Sequence, residues 1–133
     1  MRSRVLLVDD SAPMRDAVSR ILSEECELLG CVENGNYVLE AALKHRPDAI
    51  VLDISLPGMS GMALLPLLRT ALPTAVIVML TNHASKEYQE EALRRGADGY
   101  VLKSQADHAL LPALRRQSTQ VPAALATRPV LTP

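Results

Sequence analysis

Apolar and polar residues follow two alternating rhythms along this chain: short apolar runs without every-second-residue alternation, and longer stretches with apolar residues at helical spacing. Val5–Val8 is the first run, stopped by Asp9 and Asp10. Ser11 and Pro13 are start signals for a helix predicted through about Glu27, with Met14, Ala17, Val18, Ile21 and Leu22 on its inner face. Leu28–Val32 reads as a second strand weakened by Gly30, and Asn34-Gly35 as a turn. Tyr37–His45 reads as a second helix, with Val38, Leu39, Ala42 and Leu43 on one side and Pro47 enforcing its end. Ala49–Leu52 is a third apolar run, closed by Asp53; Pro57-Gly58 turns the chain, and Ser60-Gly61 caps a helix from Met62 to about Leu72. Ala75–Leu80 is the longest run, stopped by Thr81. Ser85 caps a helix through Arg95, and Gly96 stops it. Tyr100–Leu102 is the fifth run, stopped by Lys103, after which Ser104 or Asp107 starts a last helix towards Arg116.

Strand then helix, five times over, predicts an α/β fold: a doubly wound parallel sheet with helices on both faces. The unalternating runs agree, because parallel strands are covered on both sides. Pro66 and Pro112 fall inside two predicted helices, where each removes a backbone donor, so kinks or late helix starts are expected there. Residues 1–117 read as one domain, and 118–133 as a Pro-rich tail expected to be disordered, apart from an optional helical turn at Ala123–Ala126.

Composition narrows the picture. The aromatics are three Tyr with no Phe or Trp, so the core is aliphatic and platforms for stacking bases are missing. The formal charge is -1 and no segment concentrates positive charge, which argues against nucleic acid as a partner. Cys26 and Cys31 fit neither a CxxC motif nor a zinc set and read as small hydrophobes in a reducing compartment. The apolar run after the basic amino terminus is too short for a signal peptide or a membrane span, so a cytoplasmic protein is expected.

The chemistry lies at the strand ends. Asp9 and Asp10 end strand one, Asp53 strand three, Thr81 strand four and Lys103 strand five, all at the carboxyl edge where ligands of open α/β sheets gather. In strand order 2-1-3-4-5, strands one and three are neighbours, and the three acids share one crevice. Crowded carboxylates repel unless they share a cation, and an all-oxygen set favours a hard ion such as Mg²⁺. A carboxylate is also a nucleophile towards phosphorus, and Lys103 and Thr81 are suited to charge on a transferring phosphoryl group. Of three lysines, only Lys103 ends an apolar run.

These residues carry a resemblance. From about Arg4 to Arg116 the chain resembles the receiver domain of two-component response regulators, the CheY-like superfamily with its flavodoxin-like fold. Leu-Pro-Gly-Met-Ser-Gly after Asp53 and Gly-Ala-Asp-Gly-Tyr-Val-Leu-Lys ending at Lys103 look like that family's flanking signatures. The resemblance implies that Asp53 is the phosphoacceptor, Thr81 the switch hydroxyl, Tyr100 the switch aromatic and Lys103 the family lysine. It also implies Mg²⁺ held by Asp10, Asp53 and the backbone carbonyl of Ser55, with Asp9 acting through water. The implied partner is a sensor histidine kinase or histidine phosphotransfer protein. Phosphorylation would alter the face made by helix four, strand five and helix five to regulate a protein partner. Lys103-Ser104, where many receivers carry Lys-Pro, resembles the subfamily joined to quorum-sensing-type activators. Asn82 replaces the usual small residue after the switch hydroxyl, with His83 beside it.

The expected protein is therefore a stand-alone switch, monomeric or weakly dimeric, rather than an enzyme, a membrane protein or a direct DNA binder. A receiver-like module working by binding alone, and a phosphate sink or relay, are the alternatives. A dehalogenase-type phosphatase wants a second Asp where Ser55 stands, and a flavin-binding loop after strand one would not carry two acids.

Overall fold

The computed structural model describes residues 2–115 of the 133. Five strands, β1 (Ser3–Val8), β2 (Cys26–Val32), β3 (Ala49–Leu52), β4 (Val76–Thr81) and β5 (Gly99–Leu102), form one parallel sheet in the order β2-β1-β3-β4-β5. Between them run α1 (Ala12–Leu22), α2 (Val38–His45), α3 (Gly61–Ala71) and α4 (Lys86–Arg95), and a fifth helix, α5, occupies residues 106–115. The predicted fold class and strand order are those observed. The expectations for Arg116, for 118–133 and for Ala123–Ala126 lie outside the described residues.

Side chains alternate across the strands and build two cores. Leu6, Val8, Ile50, Leu52, Ile77 and Met79 pack with Val38, Leu64, Leu68 and Ala92, covering one face with α2, α3 and α4. Val5, Leu7, Val51, Val78, Leu80 and Val101 meet Val18, Leu22, Leu110 and Leu114 from α1 and α5 on the other. β3 is buried at all four positions, as expected of a central strand with helices on both faces. Capping follows the sequence: Ser11, Ser60 and Ser85 each accept backbone N–H bonds at a helix start, and Gly96 closes α4 at φ 119°.

The differences have identifiable causes. α1 ends at Leu22 rather than near Glu27, and β2 begins at Cys26, which pairs with Ser3. Cys26 stands four residues after Leu22 and so continues the helical period in sequence, but its burial comes from the sheet. Gly30 does not break β2; the ladder jumps from Leu28 to Gly30 opposite Val5 and Leu6, leaving Leu29 as the extra residue of a bulge. A 3₁₀ turn, Gly35–Tyr37, delays α2 to Val38, and a second, Lys103–Gln105, precedes α5. Leu43, expected inside, is 43% exposed, and Cys31 is exposed rather than a core hydrophobe. Neither proline delays its helix. The Met62 carbonyl, which Pro66 cannot serve, accepts instead from the Arg95 guanidinium at 3.0 Å.

One long-range hub joins the carboxyl ends of α3 and α4 to the sheet. The Arg69 guanidinium donates to the carbonyls of Pro73, Ala75 and Gly96 and to Asp98 Oδ2 at 2.6 Å, and that oxygen also accepts from Ile77 N. Asp98 is nearly buried, so truncating its partner leaves a desolvated carboxylate. Arg69→Ala is expected to cost about 2–3 kcal/mol by urea unfolding, reduced from the full buried-pair penalty because Arg69 is itself part exposed. Arg69→Lys should recover little of it, since an ammonium cannot span the same acceptors.

Candidate functional site

β1 and β3 are adjacent, so their carboxyl ends deliver Asp9, Asp10 and Asp53 to one crevice, each with an oxygen within 4.8 Å of the others'. Asp9 and Asp53 are buried and Asp10 is exposed. The ladders continue into the site, as Asp9 N donates to Val32 O and Asp53 N to Val8 O, fixing both backbones. Local turns then aim the carboxylates: Ser11 N donates to Asp9 Oδ1 at 2.8 Å and Ser55 N to Asp53 Oδ1 at 3.2 Å. From β5, Lys103 reaches back with Nζ 2.9 Å from Asp53 Oδ2 and 3.0 Å from Asp9 Oδ2.

Charge and burial oppose each other here. Burial pushes the Asp53 carboxyl above the usual carboxylate range; Lys103 pulls it back, and the Asp9 charge pushes it up again. For Lys103, burial works against the ammonium, but the hydrogen bonds and charges of Asp53 and Asp9 outweigh it and hold the pKa above the ordinary lysine value. Lys103 faces two carboxylates, whereas Asp53 faces one ammonium and the like charge of Asp9. Asp9 Oδ2 is buried and accepts no aligned hydrogen bond, although it lies against the Lys103 ammonium. An under-served buried oxygen among three crowded carboxylates fits a hard divalent cation such as Mg²⁺.

Thr81, at the end of β4, is buried, and its Oγ1 accepts from His83 N at 3.1 Å. It lines the same open cleft as Asp10, Asp53, Asn82 and Lys103. Tyr100 is half-buried, and its hydroxyl donates to the His83 carbonyl at 2.6 Å, tying β5 to the β4–α4 loop. The Lys103–Ser104 peptide is trans. Two features had no sequence signal. The His83 ring lies 3.1 Å from Ser55 Oγ across 28 residues and packs against Tyr88, and Asn36 bonds the loop after Asp53. Both contacts join loops that no periodicity links.

An acid cluster with a fixed lysine stands at the switch point of a parallel α/β sheet, and comparison assigns that arrangement to a family. The response regulator receiver domain family matches residues 5–115, and the chain belongs to that family. It is 33% identical over 115 residues to the oxygen regulatory protein NreC of Staphylococcus haemolyticus and 36% over 114 to the nitrate/nitrite response regulator protein NarL of Escherichia coli. Each match covers 84% of this chain and 53% of the relative, so the chain spans about half the length of these curated relatives. Among solved structures, the response regulator domain of Thermotoga maritima CheB superposes with a TM-score of 0.81 at 28% identity, covering 87% of this chain and 96% of that one. Among the described residues, no helix is long and apolar enough to cross a membrane.

Proposed function

We propose that the chain is a phosphoacceptor switch in which an Asp53 carboxylate oxygen attacks the phosphorus of a phosphohistidine on a kinase or phosphotransfer protein. The P–N bond breaks as the acyl phosphate P–O bond forms, and the departing imidazole takes up a proton. Lys103, already bonded to Asp53, is placed to follow the negative charge onto the phosphoryl oxygens, and Thr81 at the same cleft offers a hydroxyl to them. Asp10, Asp53 and the Ser55 carbonyl would hold Mg²⁺, with Asp9 acting through water; bound there, the ion supplies charge neutralisation to the transferring group. A Thr81 that turns to phosphate leaves His83 N, and the His83 carbonyl is the anchor of Tyr100. The phosphoryl group therefore has a route to the α4–β5–α5 face, where a protein partner would read it.

The observation that carries this reading is the Lys103 ammonium held between Asp53 and Asp9 in the three-acid crevice. With acetyl phosphate and Mg²⁺, intact mass should show one added phosphoryl group on the wild type and none on Asp53→Asn. An unmodified wild type, with a histidine kinase donor also failing, would leave a binding module as the better reading.

A further inference from the structure

Resting on that reading, we infer that Asn36, on the far side of the β2–α2 connection, is a positioning residue for the cation site, acting through the loop that follows Asp53. That loop is closed at its base by Gly61 N donating to Ile54 O, and Ser55 N is bonded to the Asp53 carboxylate. Its tip is not self-contained. The Pro57 carbonyl accepts from Gly35 N at 2.8 Å, and Met59 N donates to Asn36 Oδ1 at 3.1 Å, so the two outward backbone groups are satisfied by residues 35 and 36.

The fit leaves no room for adjustment. A Cβ on Gly35 would lie 1.7 Å from the Met59 carbonyl oxygen. Gly58 holds φ +74°, against the side chains of Asn34 and Asn36. Asn36 N in turn donates to Asn34 Oδ1 at 2.8 Å, making the brace a turn with its own lock. Ser55 lies between the base bonded to Asp53 and the tip bonded to Asn36. The segment carrying its carbonyl is thus tied at both ends, and losing the Met59–Asn36 bond leaves the tip anchored by the Gly35–Pro57 bond alone, which loosens the hold on that carbonyl.

Groups that orient metal ligands typically change affinity by about 10–100-fold when removed. For Asn36→Ala, an exposed substitution outside the cores, the Mg²⁺ concentration at half-saturation should rise about tenfold, read from the thermal midpoint during a magnesium chloride titration. The phosphorylation rate at saturating Mg²⁺ should stay near wild type, and amide exchange at Met59 and Gly35 should quicken. Asn36→Asp keeps an acceptor at the same atom and should restore the wild-type half-saturation at high ionic strength, where its added charge is screened. Arg69→Ala, destabilised but remote from the loop, should leave the half-saturation unchanged. A wild-type Mg²⁺ response together with an unshifted Asn36→Ala overturns the inference alone. A wild type that does not respond to Mg²⁺ overturns the cation site and the inference with it.

Discussion

Lys103→Met is expected to lower stability by about 3 kcal/mol at neutral pH without Mg²⁺, and to slow phosphorylation of Asp53 by at least about a hundredfold. The substitution keeps the aliphatic stem and removes the charge, leaving Asp9 and Asp53 buried and facing each other. The pH dependence follows from the two shifts. Asp53 has a folded pKa above its unfolded value, so its ionisation opposes folding; that opposition is absent below the unfolded pKa and complete above the folded one. Lys103 also has a raised folded pKa, so its contribution is complete below the unfolded lysine value and lost as pH climbs through the folded one. The deficit of Lys103→Met should therefore be largest between the carboxylate and lysine ranges. It should shrink as acid neutralises the carboxylates and again at high pH as the wild type loses its ammonium. Urea unfolding of both proteins across pH checks this, and a pH-independent deficit would assign the loss to poorer packing of the methionine thioether end rather than to the missing charge.

How much of this site is legible before folding depends on whether a residue's role is local. Asp53 closes an apolar run and Lys103 closes another, so their place at the sheet edge follows from strand period and parallel topology. The caps are local too: Ser11, Ser60 and Ser85 each bond an amide two or three residues on, which is why their positions could be read directly. The end of α1 could not. Cys26 satisfies the helical period after Leu22 as well as the strand ladder beside β1, and only the tertiary pairing with Ser3 chooses between them. The long-range contacts of Arg69, Asn36 and His83 are invisible for a different reason. Each residue bonds a partner 20 or more residues away, through atoms that any surface Arg, Asn or His would offer. Sequence pattern locates the chemistry, while the braces that hold it depend on which loops the topology brings side by side.

Gly61→Ala is expected to cost about 3 kcal/mol and to reduce the phosphorylation rate about a hundredfold, although the residue carries no functional group. Gly61 opens α3 against the backbone of Asp53. A Cβ there would stand 2.1 Å from the Asp53 carbonyl oxygen and 2.9 Å from the Asp53 carbonyl carbon and Ile54 Cα. All three are backbone atoms, so no side chain can rotate away. Either the first turn of α3 or the Asp53 peptide must move, and the bond from Gly61 N to Ile54 O moves with it. Displacement of about 1 Å at a reacting group is enough for a rate loss of that order. Gly30→Ala separates this effect from a general intolerance of added bulk. A Cβ at Gly30 would meet nothing within 4 Å, and Gly30 is not at positive φ. That variant should be neutral or gain about 0.5 kcal/mol through the unfolded chain, with an unchanged phosphorylation rate. Urea unfolding with timed intact-mass analysis of both variants gives the comparison. Equal behaviour of the two alanines would mean that the close approach of α3 to Asp53 does not constrain the Asp53 carboxylate.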